Sequence, residues 1–378
     1  MIVSYPGGAV QFTDPPQWTR PDGPLTARIA YAAAHVAPLP WAENAPDAPA
    51  AIDWDATLAF RRHLWSWGLG VAEAMDTAQR GMGLDWPATQ ELITRSAAEA
   101  RACGGAIVAG AGTDHAGPLR SLAEVTAAYA EQLEFVEGTG AVPVLMASRQ
   151  LAALASSPDE YAGVYADVLA QASAPVVLHW LGEAFDPALA GYWGSGELDK
   201  AADSLLEIIA ANSAKVDGVK VSVLDAEREI AVRRRLPPGI RLYTGDDFHY
   251  DELIRGDGVH ASDALLGAFA AIAPAASGAL QALGRGDLAG YDAAMGPTME
   301  LSRHLFAAPT RYYKTGIAFL AWLAGHQPGF TMVGGLQSGR SLPHLVRAAG
   351  LAAKAGVLGD PDLAGHRLRS LLSVGGVS

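Results

Sequence analysis

From residue 25 onward, short apolar runs alternate with longer stretches in which apolar positions recur at helical spacing. Eight of the short runs read as strands: Ala27–His35, Leu69–Thr77, Ala106–Gly112, Ala141–Ser148, Pro175–Gly182, Val216–Val223, Ile240–Asp247 and Asp257–Leu265. Amphipathic stretches such as Leu119–Glu137, Pro158–Ala172, Leu198–Asn212 and Ala226–Leu236 lie between them and read as helices. Such alternation signals a parallel sheet with crossover helices. Eight units over residues 25–276 predict an α/β fold, a (β/α)8 TIM barrel rather than an open sheet. Beyond the last strand only helical patterns remain, so residues 277–378 are expected to form a C-terminal helical extension. Residues 1–24, with several Pro and Gly, read as an N-terminal arm, ordered or loose, and residues 37–50 as a Pro-rich loop. Neither is long enough to separate two domains.

Composition narrows the function classes. The chain has 378 residues, 50% hydrophobic and 18% charged, which suits a sizeable core and excludes a disordered protein. Its net charge of −13 argues against a nucleic-acid partner. The one basic run, Arg233-Arg234-Arg235, shares a helical stretch with Glu227 and Glu229 and reads as a solvated face. The single cysteine, Cys103, excludes a disulfide scaffold and a Cys-rich zinc site, and reads as a buried, inert thiol. The first residues lack a basic segment followed by an apolar one, and no apolar run reaches the ~18–20 residues that span a bilayer. A cytoplasmic protein with no membrane partner is expected. Gly110-Ala-Gly-Thr113 lacks the further glycine and the downstream acidic residue of a dinucleotide fingerprint, so no cofactor is expected.

Chemistry in such a barrel sits at the carboxyl ends of the strands. The polar residues gather there: Glu73, Asp76 and Thr77 on the second strand, Thr113, Asp114 and His115 after the third, Ser148-Arg149 after the fourth. The fifth ends in His179-Trp180, the sixth holds Lys220 and Ser222, the seventh ends in Asp246-Asp247, and the eighth carries His260, Ser262 and Asp263. Lys220 is the sharpest feature. A lysine inside an apolar strand cannot easily reach water, burial favours its neutral form, and a neutral amine can attack a carbonyl to form a Schiff base. The alternative is a structural lysine paired with a carboxylate such as Glu73. His179 reads either as a proton shuttle beside Lys220 or as a satisfied core histidine. Asp246 and Asp247 read as site carboxylates or as a helix cap. Trp180, Tyr192 and Trp193 line a substrate mouth or simply pack.

The order of these motifs resembles the dihydrodipicolinate synthase/N-acetylneuraminate lyase superfamily of class I aldolases, in a divergent branch of dihydrodipicolinate synthase-like proteins of unknown function. The likeness rests on Ala109-Gly-Ala-Gly-Thr113, Pro175-Val-Val-Leu-His179, Gly218-Val-Lys220, Tyr243-Thr-Gly-Asp-Asp247, Gly256-Asp-Gly-Val-His-Ala-Ser262 and the segment from Leu305 through Pro309 to Lys314. It implies a barrel with a C-terminal helical domain, assembly as a homodimer or homotetramer, and a lysine imine with an oxo acid, carried by Lys220. The family's Gly-Thr-Thr-Gly-Glu loop falls on Asp76-Thr77-Ala78-Gln79-Arg80, keeping one threonine as Thr77. Its catalytic tyrosine is replaced by His179, and the arginine that usually follows falls on Ala184. His260 stands where the family has an aliphatic residue.

These departures argue against a true dihydrodipicolinate synthase. They suggest a Schiff-base lyase, aldolase or dehydratase acting on a small carbonyl substrate, a keto-sugar or sugar-derived 2-oxo acid. Lys220, His179 and Thr77 are the expected catalytic residues. Asp76, Asp114, His115, Arg149, Asp246 and His260 are the expected substrate contacts. Two alternatives stay open: a metal-dependent sugar isomerase, epimerase or hydro-lyase using Glu73, Asp114, His179 and His260, and a binding protein that has lost the chemistry.

Overall fold

The structure, a computed structural model, describes residues 1–377. The arm opens with an antiparallel hairpin, β1 (Ile2–Tyr5) and β2 (Gly8–Gln11). Eight further strands follow: β3 (Ala30–Ala33), β4 (Gly70–Glu73), β5 (Ile107–Ala111), β6 (Val142–Leu145), β7 (Val176–Leu181), β8 (Val216–Ser222), β9 (Arg241–Thr244) and β10 (Asp263–Leu266). They close into a barrel in chain order, with β10 beside β3. The strands are buried on both faces, which is why they read as near-continuous apolar runs rather than alternating ones.

All eight expected strands are present, each shorter than its apolar run. The eighth departs most, starting at Asp263 instead of Asp257. The Asp257 carboxylate accepts the N–H groups of Val259 and His260, and Gly256 and Gly258 take positive φ, so residues 256–260 form a turn.

Crossover helices separate the strands: α1 (Trp54–Ser66), α2 (Trp86–Cys103), α3 (Leu122–Thr139), α4 (Arg149–Leu154), α5 (Pro158–Gln171), α6 (Leu198–Ala211), α7 (Ala226–Arg233) and α8 (Tyr250–Arg255). Their starts are set by local chemistry. Asp53, Asp85, Ser121, Ser148, Ser157 and Asp225 each accept a backbone N–H as N-cap. The helical region that follows consists of α9 (Phe269–Gly284), α10 (Leu288–Leu305), α11 (Tyr313–Leu323), α12 (Leu342–Lys354) and α13 (Pro361–Val374). Among the described residues no helix is long and apolar enough to cross a membrane.

The chain divides into two compact units. One comprises Met1–Val71, Asp76–Leu84 and Gly267–Ser378. Within it α10 packs on α9 and α12, and the hairpin lies on α12 and α13, burying Val3, Val10 and Phe12. The other comprises Ala72–Met75 and Asp85–Leu266. There α3 packs on α2 and α5 outside β5 and β6, and α5 on α6.

Two sequence expectations are corrected here. Cys103 is exposed, because α2 ends at this residue and Gly104 turns the chain into the left-handed region. Arg233 is buried rather than solvated: its guanidinium donates to Leu253 O and Ser262 Oγ, while Arg234 and Arg235 pair with Asp257 and Asp203 on the surface.

Candidate active site

Register places the central residues. β7 and β8 pair in parallel with His179 opposite Lys220 and Leu181 opposite Ser222. Side chains alternate along a strand, so Gly218, Lys220 and Ser222 share one face, with His179 beside them on the neighbouring strand. Lys220 and His179 are both buried, at 6% and 2% exposure. His179 Nε2 lies 3.3 Å from Ser222 Oγ, and its buried Nδ1 has no hydrogen-bond partner. Burial first, and the Lys220 charge second, hold the imidazole well below its ordinary pKa, so it is neutral at physiological pH. A neutral imidazole beside an amine can accept or donate a proton without adding charge to the site.

The next strand shapes the space around the lysine. Tyr243 on β9 is opposite Lys220, and Gly245 follows with its N–H on Val221 O at 2.7 Å. A Cβ on Gly245 would lie 2.8 Å from Lys220 Cε and would overlap the Ser222 hydroxyl. A Cβ on Gly218 would press on the Tyr243 ring in the same way, at 2.8 Å. The two glycines leave the volume that the lysine chain and the tyrosine ring occupy.

A second polar layer involves α7 and the ends of β9 and β10. Glu229 accepts from Thr244 Oγ1 at 2.9 Å and from Ser262 Oγ at 2.8 Å, and Arg233 donates to the same serine. Burial pushes the Glu229 carboxyl up to about 8 despite these donors. Thr244 Oγ1 also accepts from the Asp246 N–H. Asp246 in turn takes the N–H groups of Phe248 and His249 on Oδ1, and His249 Nδ1 stands 3.0 Å from its Oδ2. Asp246 therefore builds the turn before α8.

Asp114 and His115 are joined through Gln132, whose Nε2 is 3.1 Å from Asp114 Oδ1 and 2.7 Å from His115 Nδ1, and His115 also faces Glu131. Arg149 is exposed and pairs with Asp186 at 2.5 Å. Asp76 opens a single 3-10 turn that carries Thr77. Thr77 is buried, and its hydroxyl lies 2.5 Å from Tyr313 Oη. His260 lies exposed in the turn before β10, at the amino end of that strand and not within it as its sequence suggests. Tyr192 and Trp193 pack in a buried aromatic cluster with Tyr161 and Tyr165 rather than around a mouth. Among the described residues, no three His, Cys, Asp or Glu converge as a metal site would need. The set Glu73, Asp114, His179 and His260 thus forms no such group.

Three contributors were missing from the expected set. Ser222 carried a usable signal, standing two residues from Lys220 on the same strand face. Gly245 lay within a quoted motif, but only the packing gives it a role. Tyr313 reaches Thr77 across 236 positions of sequence, and no local pattern announces that contact.

The fold is that of the dihydrodipicolinate synthases. A 4-hydroxy-tetrahydrodipicolinate synthase from the thermoacidophilic methanotroph Methylacidiphilum fumariolicum SolV superposes with a TM-score of 0.66 at 15% identity, covering 87% of this chain and 96% of that one. A dihydrodipicolinate synthase from Bacillus anthracis gives 0.63 at 15%, covering 85% and 97%. One from Bacteroides thetaiotaomicron gives 0.63 at 14%, covering 91% and 99%. No curated protein sequence matches the chain. The family model described as Protein of unknown function (DUF993) matches residues 7–377, and the chain belongs to that family.

Proposed function

We propose that the protein is a class I, Schiff-base-forming lyase or aldolase acting on a small keto-sugar or sugar-derived 2-oxo acid. The observation that carries this reading is a buried lysine amine on β8, paired in register with a buried, neutral imidazole on β7. Lys220, once it has given up its proton, attacks the substrate ketone as a free amine. The carbinolamine loses water to give an iminium, with the proton for that water supplied through His179 and Ser222. The iminium draws electrons from the adjacent carbon–carbon bond. A base then takes the proton of the β-hydroxyl, that bond breaks, an aldehyde leaves and the enamine remains on Lys220. Protonation of the enamine and hydrolysis release the second product and the amine. His179 is placed to carry protons in these steps. Thr77, hydrogen-bonded to Tyr313, is assigned a further proton-carrying hydroxyl on the strength of the family resemblance. Asp76, Asp114, His115, Arg149 and Asp246 are assigned to substrate, and assembly as a homodimer or homotetramer belongs to the same proposal.

The test is reductive trapping. The protein is incubated with pyruvate, 2-oxo-3-deoxy sugar acids and ketoses in turn, treated with borohydride, and digested for mass spectrometry. A mass increment on the peptide holding Lys220, absent in Lys220→Ala, is the expected result. No increment with any carbonyl compound, together with turnover retained in Lys220→Ala, overturns the reading.

A further inference from the structure

The unit that holds the N-terminal arm and the C-terminal helices contains a cavity of about 700 Å³, the size of a small-molecule site. It shares no lining residue with the surroundings of Lys220. Its wall from α9 and α11 is apolar, formed by alanines with Pro274 and Leu320. Its other side is polar and aromatic: Arg20, His63, Trp67 and His326.

The arm is a built wall and not a loose tail. Trp18 donates its indole N–H to Gly356 O at 2.8 Å, and Gln281 donates to Thr19 O at 2.9 Å. Gly278 and Gly356 are glycines where a Cβ would strike the Trp18 ring and Pro16, so the sequence leaves room for the arm to lie down.

The polar side has one sign. Arg20 places its guanidinium 5.4 Å from the centre of the Trp67 ring. No acidic side chain lines the cavity. The Trp67 indole N–H is buried and has no acceptor. The rings of His63 and His326 are 4.2 Å apart. Burial lowers the pKa of both, to about 3 and about 4, so at neutral pH each is an uncharged ring with one N–H to donate.

We propose that this cavity binds a small monocarboxylate with an apolar body, its carboxylate against Arg20 and the ring donors and its hydrocarbon against the alanine wall of α9 and α11. A neutral ligand of the same shape would leave the guanidinium without an anion, and a polyanion would have to place charge on the apolar wall.

Benzoate and hexanoate, with benzamide as the neutral isostere of benzoate, serve as probes. Tryptophan fluorescence of the full chain reports binding, since Trp18 and Trp67 line the cavity. Saturable quenching by benzoate or hexanoate is expected, with binding weakened about tenfold or more for benzamide and for Arg20→Gln, the loss of one charge-assisted contact. Arg20 is exposed, so this substitution leaves the fold intact. Ala321→Leu, which intrudes on the apolar wall, is expected to weaken hexanoate while thermal unfolding confirms a folded chain. Absence of saturable binding by both carboxylates overturns the proposal. So does equal binding of benzoate and benzamide, or benzoate binding that Arg20→Gln leaves unchanged.

Discussion

Gly245 and Lys220 exclude one another's bulk: the carbon that any other residue would carry at position 245 would lie 2.8 Å from the lysine Cε. The hydroxyl of Ser222 occupies the same volume. A methyl group there must displace the lysine chain, the serine hydroxyl, or the turn that Gly245 N–H makes to Val221 O. Gly245→Ala is therefore expected to abolish the borohydride-trapped adduct and to destabilise the fold by about 1–3 kcal/mol, the usual cost of overpacking. Gly296→Ala is the control, since a Cβ there meets nothing within 4 Å. Trapping yield and urea unfolding of both variants check this, and a Gly245→Ala protein that traps as well as wild type contradicts it.

His179 is expected to act from its neutral form. Burial and the adjacent lysine keep its imidazole well below 6.5, so it contributes no ionisation to the rate near neutral pH. His179→Asn keeps a polar side chain of smaller size and is expected to lower kcat about 10²–10⁴-fold, the range for a lost proton relay. Ser222→Ala, which removes the hydroxyl 3.3 Å from Nε2, is expected to cost less. The pH profile of kcat/KM decides the matter: an acid limb near pH 6.5 that disappears in His179→Asn would refute the neutral-imidazole assignment.

The barrel was legible because strands buried on both faces leave uninterrupted apolar runs, and eight of them alternating with helical stretches admit few architectures. Lys220 was legible for the same reason, as a charge that breaks such a run. His260 was misplaced because Asp257-Gly-Val-His reads as the start of a strand, whereas the Asp257 carboxylate gathers the following N–H groups into a turn. The Glu229 network was not legible. Glu229 sits in a helix beside surface charges, and only the packing of α7 shows that it faces Thr244 and Ser262. Arg233 was misjudged with it, since a run of three arginines looks uniform in sequence while the helix turns one of them inward.

Glu229 makes stability depend on pH in an unusual direction for a carboxylate. Its native pKa is raised to about 8 from an ordinary 4.5. Below pH 4.5 both folded and unfolded chains hold the proton, and the contribution is fully present. Between 4.5 and about 8 the unfolded chain releases the proton while the folded chain retains it, so stability falls by about 1.4 kcal/mol per pH unit on this account. Glu229→Gln, which cannot ionise and keeps one oxygen to accept from Thr244 or Ser262, is expected to lose less stability between pH 6.5 and pH 8.5 than wild type. Denaturant unfolding across that interval tests it, and parallel curves for the two proteins would remove Glu229 from the account.

Buried histidines act in the opposite sense at lower pH. His35 shares a hydrogen bond with Gln327 at 3.0 Å and lies against Phe60, and burial lowers it to about 3. His63 and His326 face one another and are lowered to about 3 and about 4. Above pH 6.5 these rings are neutral in both states and the native arrangement is fully favoured. As pH falls from 6.5 towards 4 the unfolded chain takes up protons that the folded chain refuses, at about 1.4 kcal/mol per pH unit for each ring. These three rings, together with the buried imidazole of His179, outweigh the single opposing carboxyl of Glu229 where the two ranges overlap. Stability is therefore expected to rise from pH 4.5 to about 6.5 and to decline above it. The double variant His63→Gln with His326→Gln should make the acid side shallower and leave the alkaline side unchanged, whereas Glu229→Gln should flatten the alkaline side and steepen the acid side. Tm measured from pH 5 to pH 8.5 on the three proteins separates the two arms, and an acid side that stays equally steep in the double variant would assign it to other groups.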